Sequence, residues 1–146
     1  MKGLPEPCEP ADPAARAGPP AVVVDVGWVN GLAAIRSLGR TGATVYAVDH
    51  RPWALGLRSR YATSLVSPDA AVEEDAFVAC LAGLGETLDR PAPLFATHDA
   101  GLNAVARRQD ELAARFLFPF PDRDTMERIQ NKRTQLEAAE AAGVDI

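Results

Sequence analysis

Cysteine is scarce in this 146-residue chain, with only Cys8 and Cys80 present. Two thiols so far apart form neither a disulfide framework nor the paired spacing of a structural zinc site, and they suit a reducing cytoplasm. Histidine is equally sparse. His50 and His98 have no cysteine nearby, so no metal ligand set can be read from the sequence. No apolar run approaches the roughly 20 residues that cross a bilayer. The N-terminus has no apolar core of a secretory signal. Basic residues are outnumbered, 15 against 20 acidic, giving a net charge of -5. A nucleic-acid-binding domain normally carries a basic excess, so general polyanion binding is not expected. These shortages together predict a cytoplasmic protein without membrane or nucleic-acid partners.

Hydrophobic residues make up 47% of the chain, enough for one globular core. Six of the 12 prolines lie in residues 1–20, which read as a disordered leader because proline lacks the backbone donor that regular structure needs. The folded part is expected to begin at Ala21. Ala21–Val26 is a β-branched run with no polar alternation across Val22–Val24, as in a strand buried on both faces. Gly27 ends it. Leu32, Ile35 and Leu38 then recur at helical spacing, with Gly39 and Gly42 as the stop. Thr44–Asp49 is the second strand. Residues 50–63 read as a loop with one helical turn, and Ser64–Ser67 as a short strand. A helix over 73–89, a strand Leu94–Thr97, a helix over 100–115 and an extended Phe116–Phe118 follow. Asp124 with Glu127 resembles a capping box for a first C-terminal helix. Asn131 interrupts that stretch, and a second helix runs from Lys132 to about Ala142, ended by Gly143. Val144-Asp145-Ile146 looks like a strand just begun, so the chain reads as the N-terminal part of something longer.

Strands alternating with helices predict an α/β fold, a Rossmann-like parallel sheet flanked by helices. Ligands in such sheets sit beyond the carboxyl ends of the strands. Gly27–Gly31 is the first segment there. Gly27 permits a sharp turn and Asn30 can cap the next helix; they either build the turn alone or also frame an anion site on free amides. The spacing is not a G-x-G-x-x-G fingerprint, although Asp49 stands where a ribose-binding acid would. Thr97-His98-Asp99 is a second strand end. Thr97 or Asp99 can cap a helix, and a histidine beside a carboxylate can serve as acid or base. Arg58-Ser59-Arg60-Tyr61 is a basic, aromatic patch, either a solvated loop or an anion or domain contact. Lys132, one of only two lysines, is either a surface residue or a positioned charge for a phosphate.

The ordered phrases V-V-V-D-V-G-W-V-N-G, S-R-Y, F-A-T-H-D, F-P-F-P-D and N-K-R-T-Q-L-E-A-A-E-A-A-G-V-D-I resemble the N-terminal portion of ATP-grasp carboxylate–amine ligases. This is the group around D-aspartate ligase and the carbamoyl-phosphate-synthase-like proteins. The resemblance covers residues 21–146. Beyond the Pro-rich leader of residues 1–20, it implies a pre-ATP-grasp Rossmann-like domain over 21–121 and, over 122–146, a helical lead-in to a truncated ATP-grasp domain. It implies that Lys132 contacts nucleotide phosphates, and that Gly27, Asn30, Gly31, Thr97, His98 and Asp99 face the substrate cleft. ATP and Mg²⁺ are the implied cofactors. A small-molecule carboxylate and an amine are the implied substrates, joined through an acyl phosphate. The missing ATP-grasp domain is the implied partner, and a homodimer the common assembly. Asp145 stands where the family usually has proline, and His98 where a small residue is common. The second phosphate-binding lysine, the adenine pocket and the magnesium-binding acids lie outside residues 1–146, so this portion alone is expected to be inactive. Two other readings remain open: a dinucleotide-binding domain of an oxidoreductase, and a non-catalytic flavodoxin-like module.

Overall fold

The computed structural model describes residues 18–144. The leader's residues 1–17, with Cys8, and the strand opening at Asp145-Ile146 lie outside that range. Five parallel strands form one sheet: β1 (Pro20–Val24), β2 (Thr44–Asp49), β3 (Ala62–Val66), β4 (Ala92–Ala96) and β5 (Phe116–Leu117). Their order is β3-β2-β1-β4-β5. Helices α1 (Val29–Arg40), α2 (Glu74–Thr87), α3 (Asp99–Arg107), α4 (Gln109–Leu112), α5 (Arg123–Gln130) and α6 (Lys132–Ala141) surround or follow it. A 3₁₀ turn, Leu55–Arg58, connects β2 to β3. The Rossmann-like α/β class is therefore observed. The strand order is that of the dinucleotide-binding folds and differs from the 2-1-3-4-5 order of flavodoxin-like modules.

The run of valines explains the layering. Val22, Val23 and Val24 are all fully buried. Because strand side chains alternate, Val22 and Val24 enter a core with Phe77 and Leu81 of α2, Leu94 of β4, Val105 of α3, Leu112 of α4 and Phe116 of β5. Val23 enters the opposite core with Ile35 of α1, Val45 and Ala47 of β2 and Leu57 of the 3₁₀ turn. One strand thus serves two cores, as the lack of polar alternation predicted.

Several boundaries differ from the sequence reading. β1 starts at Pro20, not Ala21; Pro20 pairs with Thr44, and proline is tolerated at a strand's first residue. It ends at Val24, not Val26, because Asp25 turns the backbone to φ 61°. Gly39 lies inside α1 rather than ending it. A Cβ there would stand 2.6 Å from Tyr61 Cβ, so the glycine admits the Tyr61 ring, and the turn at φ +88° belongs to Gly42. The helix expected over 100–115 is two helices, broken at Arg108, whose φ of -120° leaves the helical region. Its guanidinium binds Asp75 and Glu111 instead. The cap of α5 is Asp122, which accepts from Thr125 N at 3.0 Å, in place of the expected Asp124. Asn131 does begin α6, accepting from Arg133 N at 3.0 Å, and Gly143 follows its end at φ +74°. No helix among the described residues is long and apolar enough to cross a membrane.

Candidate functional site

The chain leaves β1 toward one face through α1 and leaves neighbouring β4 toward the other through α3. This divergence opens a crevice between the carboxyl ends of β1 and β4. Thr97 ties its two walls together. The Thr97 amide donates to Val24 O at 3.2 Å, and its hydroxyl lies 3.0 Å from Val24 O and 2.9 Å from Asp25 O. Asn30 Nδ2 donates to Thr97 O at 2.6 Å, while Asn30 Oδ1 accepts from Gly31 N at 3.1 Å. Asn30 is therefore not the cap of α1. Trp28 holds that position without a side-chain bond, and Asn30 spends its amide across the crevice. Gly31 permits this closeness, since a Cβ there would meet Val26 Cα at 2.7 Å and Thr97 Oγ1 at 3.1 Å.

Neither Thr97 nor Asp99 caps α3. His98 stands at the cap position with no side-chain bond, and both His98 and Asp99 are exposed. The anion at this helix start is Asp25, whose Oδ2 accepts from Gly101 N at 2.9 Å. A carboxylate at a helix N-terminus is stabilised by free amides and the helix dipole. Asp25 is only 8% exposed, and burial pushes its carboxyl above the usual range. The Gly101 hydrogen bond pulls it down, the Asp49 charge pushes it up again, and His98 and His50 lower it. Sequence reading placed Asp25 inside the strand and missed it as a site residue. The available signal was one acid ending an otherwise apolar run, of a type that tolerates the left-handed turn.

The end of β2 forms the third wall. Asp49, 1% exposed, accepts from the Arg51 amide at 2.9 Å, Arg51 Nε at 3.0 Å and Arg51 Nη2 at 3.2 Å. The guanidinium also stands 5.5 Å over the Trp28 ring. Gly27 makes room for it: a Cβ there would fall 2.1 Å from Arg51 Nη2. His50 approaches Asp49 at 3.8 Å and Asp69 at 3.7 Å. Both tryptophans border this end of the sheet, Trp28 54% and Trp53 73% exposed. Asp49 is thus occupied by Arg51 and does not offer a ribose a free carboxylate.

Gly27, Asn30, Gly31, Thr97, His98 and Asp99 do converge on the crevice, joined there by Asp25 and Arg51. Lys132 does not. It is exposed at the start of α6 and forms no hydrogen bond with a crevice residue. The Cys80 thiol is half-buried in α2, and burial raises its ionisation above the ordinary value. Among the described residues no group of three or more histidine, cysteine or acidic side chains is placed to hold a metal ion. Trp28, Asn30, His98 and Asp99 are exposed at this end of the sheet, so they are the side chains a small molecule there would meet. No protein-family model matches the chain, and no curated protein matches it.

Proposed function

We propose that this chain is the pre-ATP-grasp portion of an ATP-dependent ligase that activates a carboxylate as an acyl phosphate and joins it to an amine. The observation that carries the reading is α6. This helix follows a sheet already covered on both faces and buries none of its own residues, although Ile129 of α5 and Leu136 of α6 are each about half exposed. Such a helix suits an element that packs on a further domain. The crevice supports the same reading by what it lacks for the competing one. A dinucleotide domain needs the first turn open to pyrophosphate and a free acid at the end of β2. Here Asp25 stands in the first turn and Asp49 is bound by Arg51.

In this reading ATP and Mg²⁺ belong to the ATP-grasp domain. Lys132 supplies one charge to the nucleotide phosphates, and the crevice lined by Asn30, Thr97 and Asp25 faces the substrates. Arg133 is the natural control, because it is exposed and paired with Glu137 at 2.9 Å one turn along α6. In the protein that carries this chain with an ATP-grasp domain, Lys132→Ala should lower kcat/KM for ATP roughly tenfold to a hundredfold, as for loss of a charged hydrogen bond. Arg133→Ala should remain near wild type. Carboxylate-dependent ADP release measures both. Equal, near-wild-type kinetics for the two variants would remove Lys132 from the nucleotide site.

A further inference from the structure

Away from the crevice, the other end of α1 carries a cluster of cations. Arg36 and Arg40 lie four residues apart on one face of α1, and Arg58 closes the 3₁₀ turn that packs beside that helix. Arg60 and Tyr61 follow, immediately before β3. The Tyr61 ring is seated against Gly39, where a Cβ would stand 2.8 Å from Tyr61 Cδ1. Arg60 Nη2 donates to the Tyr61 hydroxyl at 2.9 Å and its guanidinium lies 4.9 Å over the ring, while Arg40 directly follows the glycine on which that ring sits. Arg60 and Arg40 both draw the Tyr61 hydroxyl below its ordinary ionisation range, so two cations act on one phenol beside an exposed flank.

The surrounding charge is unusual for this molecule. Arg51, Arg90, Arg107, Arg108, Arg115 and Arg133 each reach a carboxylate. Among the described residues Arg36, Arg40 and Arg58 enter no ion pair, in a chain whose acids outnumber its bases by 20 to 15. Arg40 in the last turn of α1 complements the helix dipole, which accounts for one cation but not for the group. Guanidinium forks match the oxygens of a phosphate better than a point charge does.

We infer that Arg40, Arg60 and Tyr61, flanked by Arg36 and Arg58, form a binding site for the phosphate group of a small phosphorylated molecule. The site is separate from the crevice, since the 12 residues of α1 set its ends about 16 Å apart. Neither the site nor its test depends on the ligase reading.

The test uses the whole chain and inorganic phosphate, titrated against sodium chloride at matched ionic strength. Two readouts apply: the melting temperature, and the ultraviolet titration of the Tyr61 hydroxyl in a Tyr46→Phe background. Phosphate should raise the melting temperature saturably at millimolar concentration. It should also move Tyr61 ionisation to higher pH, since a bound anion opposes a second negative charge. Arg40→Gln and Arg60→Gln should each weaken the effect roughly tenfold. Arg90→Gln, which removes an exposed cation paired with Asp89, should leave it unchanged. Tyr61→Phe should retain the melting response without the titration signal. A phosphate response no larger than that of chloride would overturn the site. So would equal weakening by Arg90→Gln.

Discussion

Two glycines on helices, Gly101 and Gly83, should respond to the same substitution with opposite sign. Alanine generally favours a helix interior over glycine by about 0.5–1 kcal/mol. At Gly83 in α2 a Cβ would meet nothing within 4 Å, so Gly83→Ala should realise that gain. At Gly101 in α3 the Cβ would lie 2.3 Å from Asp25 Oδ2 and 3.2 Å from Val24 Cγ2. The carboxylate must withdraw, and it is buried on a backbone held at φ 61°, with little freedom to do so. The 2.9 Å bond from Gly101 N is then lost. Overpacking costs about 1–3 kcal/mol and a hydrogen bond to a charged acceptor contributes about 1.5–3 kcal/mol. Set against the helix gain, Gly101→Ala should lose roughly 2–4 kcal/mol. Urea unfolding gives both values directly, and the melting temperature should move about 3–5 °C per kcal/mol for a domain of this size. A Gly101→Ala protein as stable as wild type would show that the Asp25–Gly101 contact does not hold the crevice together.

Asp25 also sets a pH dependence. Burial raises its carboxyl in the folded state, so the folded protein binds that proton more tightly than the unfolded chain does. Its stabilising contribution is full below the unfolded value of about 3.9 and is lost as pH rises through the folded value. Asp25→Asn keeps an acceptor for Gly101 and tolerates the left-handed turn. The stability of wild type relative to this variant should therefore fall with rising pH across that window, measured by urea unfolding at a series of pH values; a flat difference would refute it. At the β2 end, Arg51→Met should cost about 1–3 kcal/mol by depriving buried Asp49 of two hydrogen bonds, and should shift Trp28 fluorescence. Unchanged stability would mean that the Arg51 amide and His50 suffice for Asp49.

The fold was legible where burial alone decides the residue. Val22–Val24 announced a two-faced strand, Thr44–Asp49 was delimited to the residue, and Phe77 and Leu81 placed α2. The strand order was not legible, because pairing partners lie far apart in sequence; Val22 contacts both Tyr46 and Leu94 registers. Site residues of the two strand ends were found because turns there need Gly27, Gly31 and Asn30. Their roles were not. Asn30 and Asp99 fit the local preferences of helix caps, yet the cap of α3 comes from Asp25, 76 residues away. Tertiary contacts of that range leave no periodic trace. Gly39 likewise read as a helix stop, when its missing side chain serves the Tyr61 ring from another element.

Asp25 at the head of α3 is, in effect, a tethered ligand. Its carboxylate already occupies the amide that a free anion would seek, at the high local concentration that covalent attachment confers. A dissolved oxyanion at that point must compete with a resident one that never diffuses away. Protonation weakens the resident's hold. The hold of Asp25 on the α3 terminus therefore varies with proton activity.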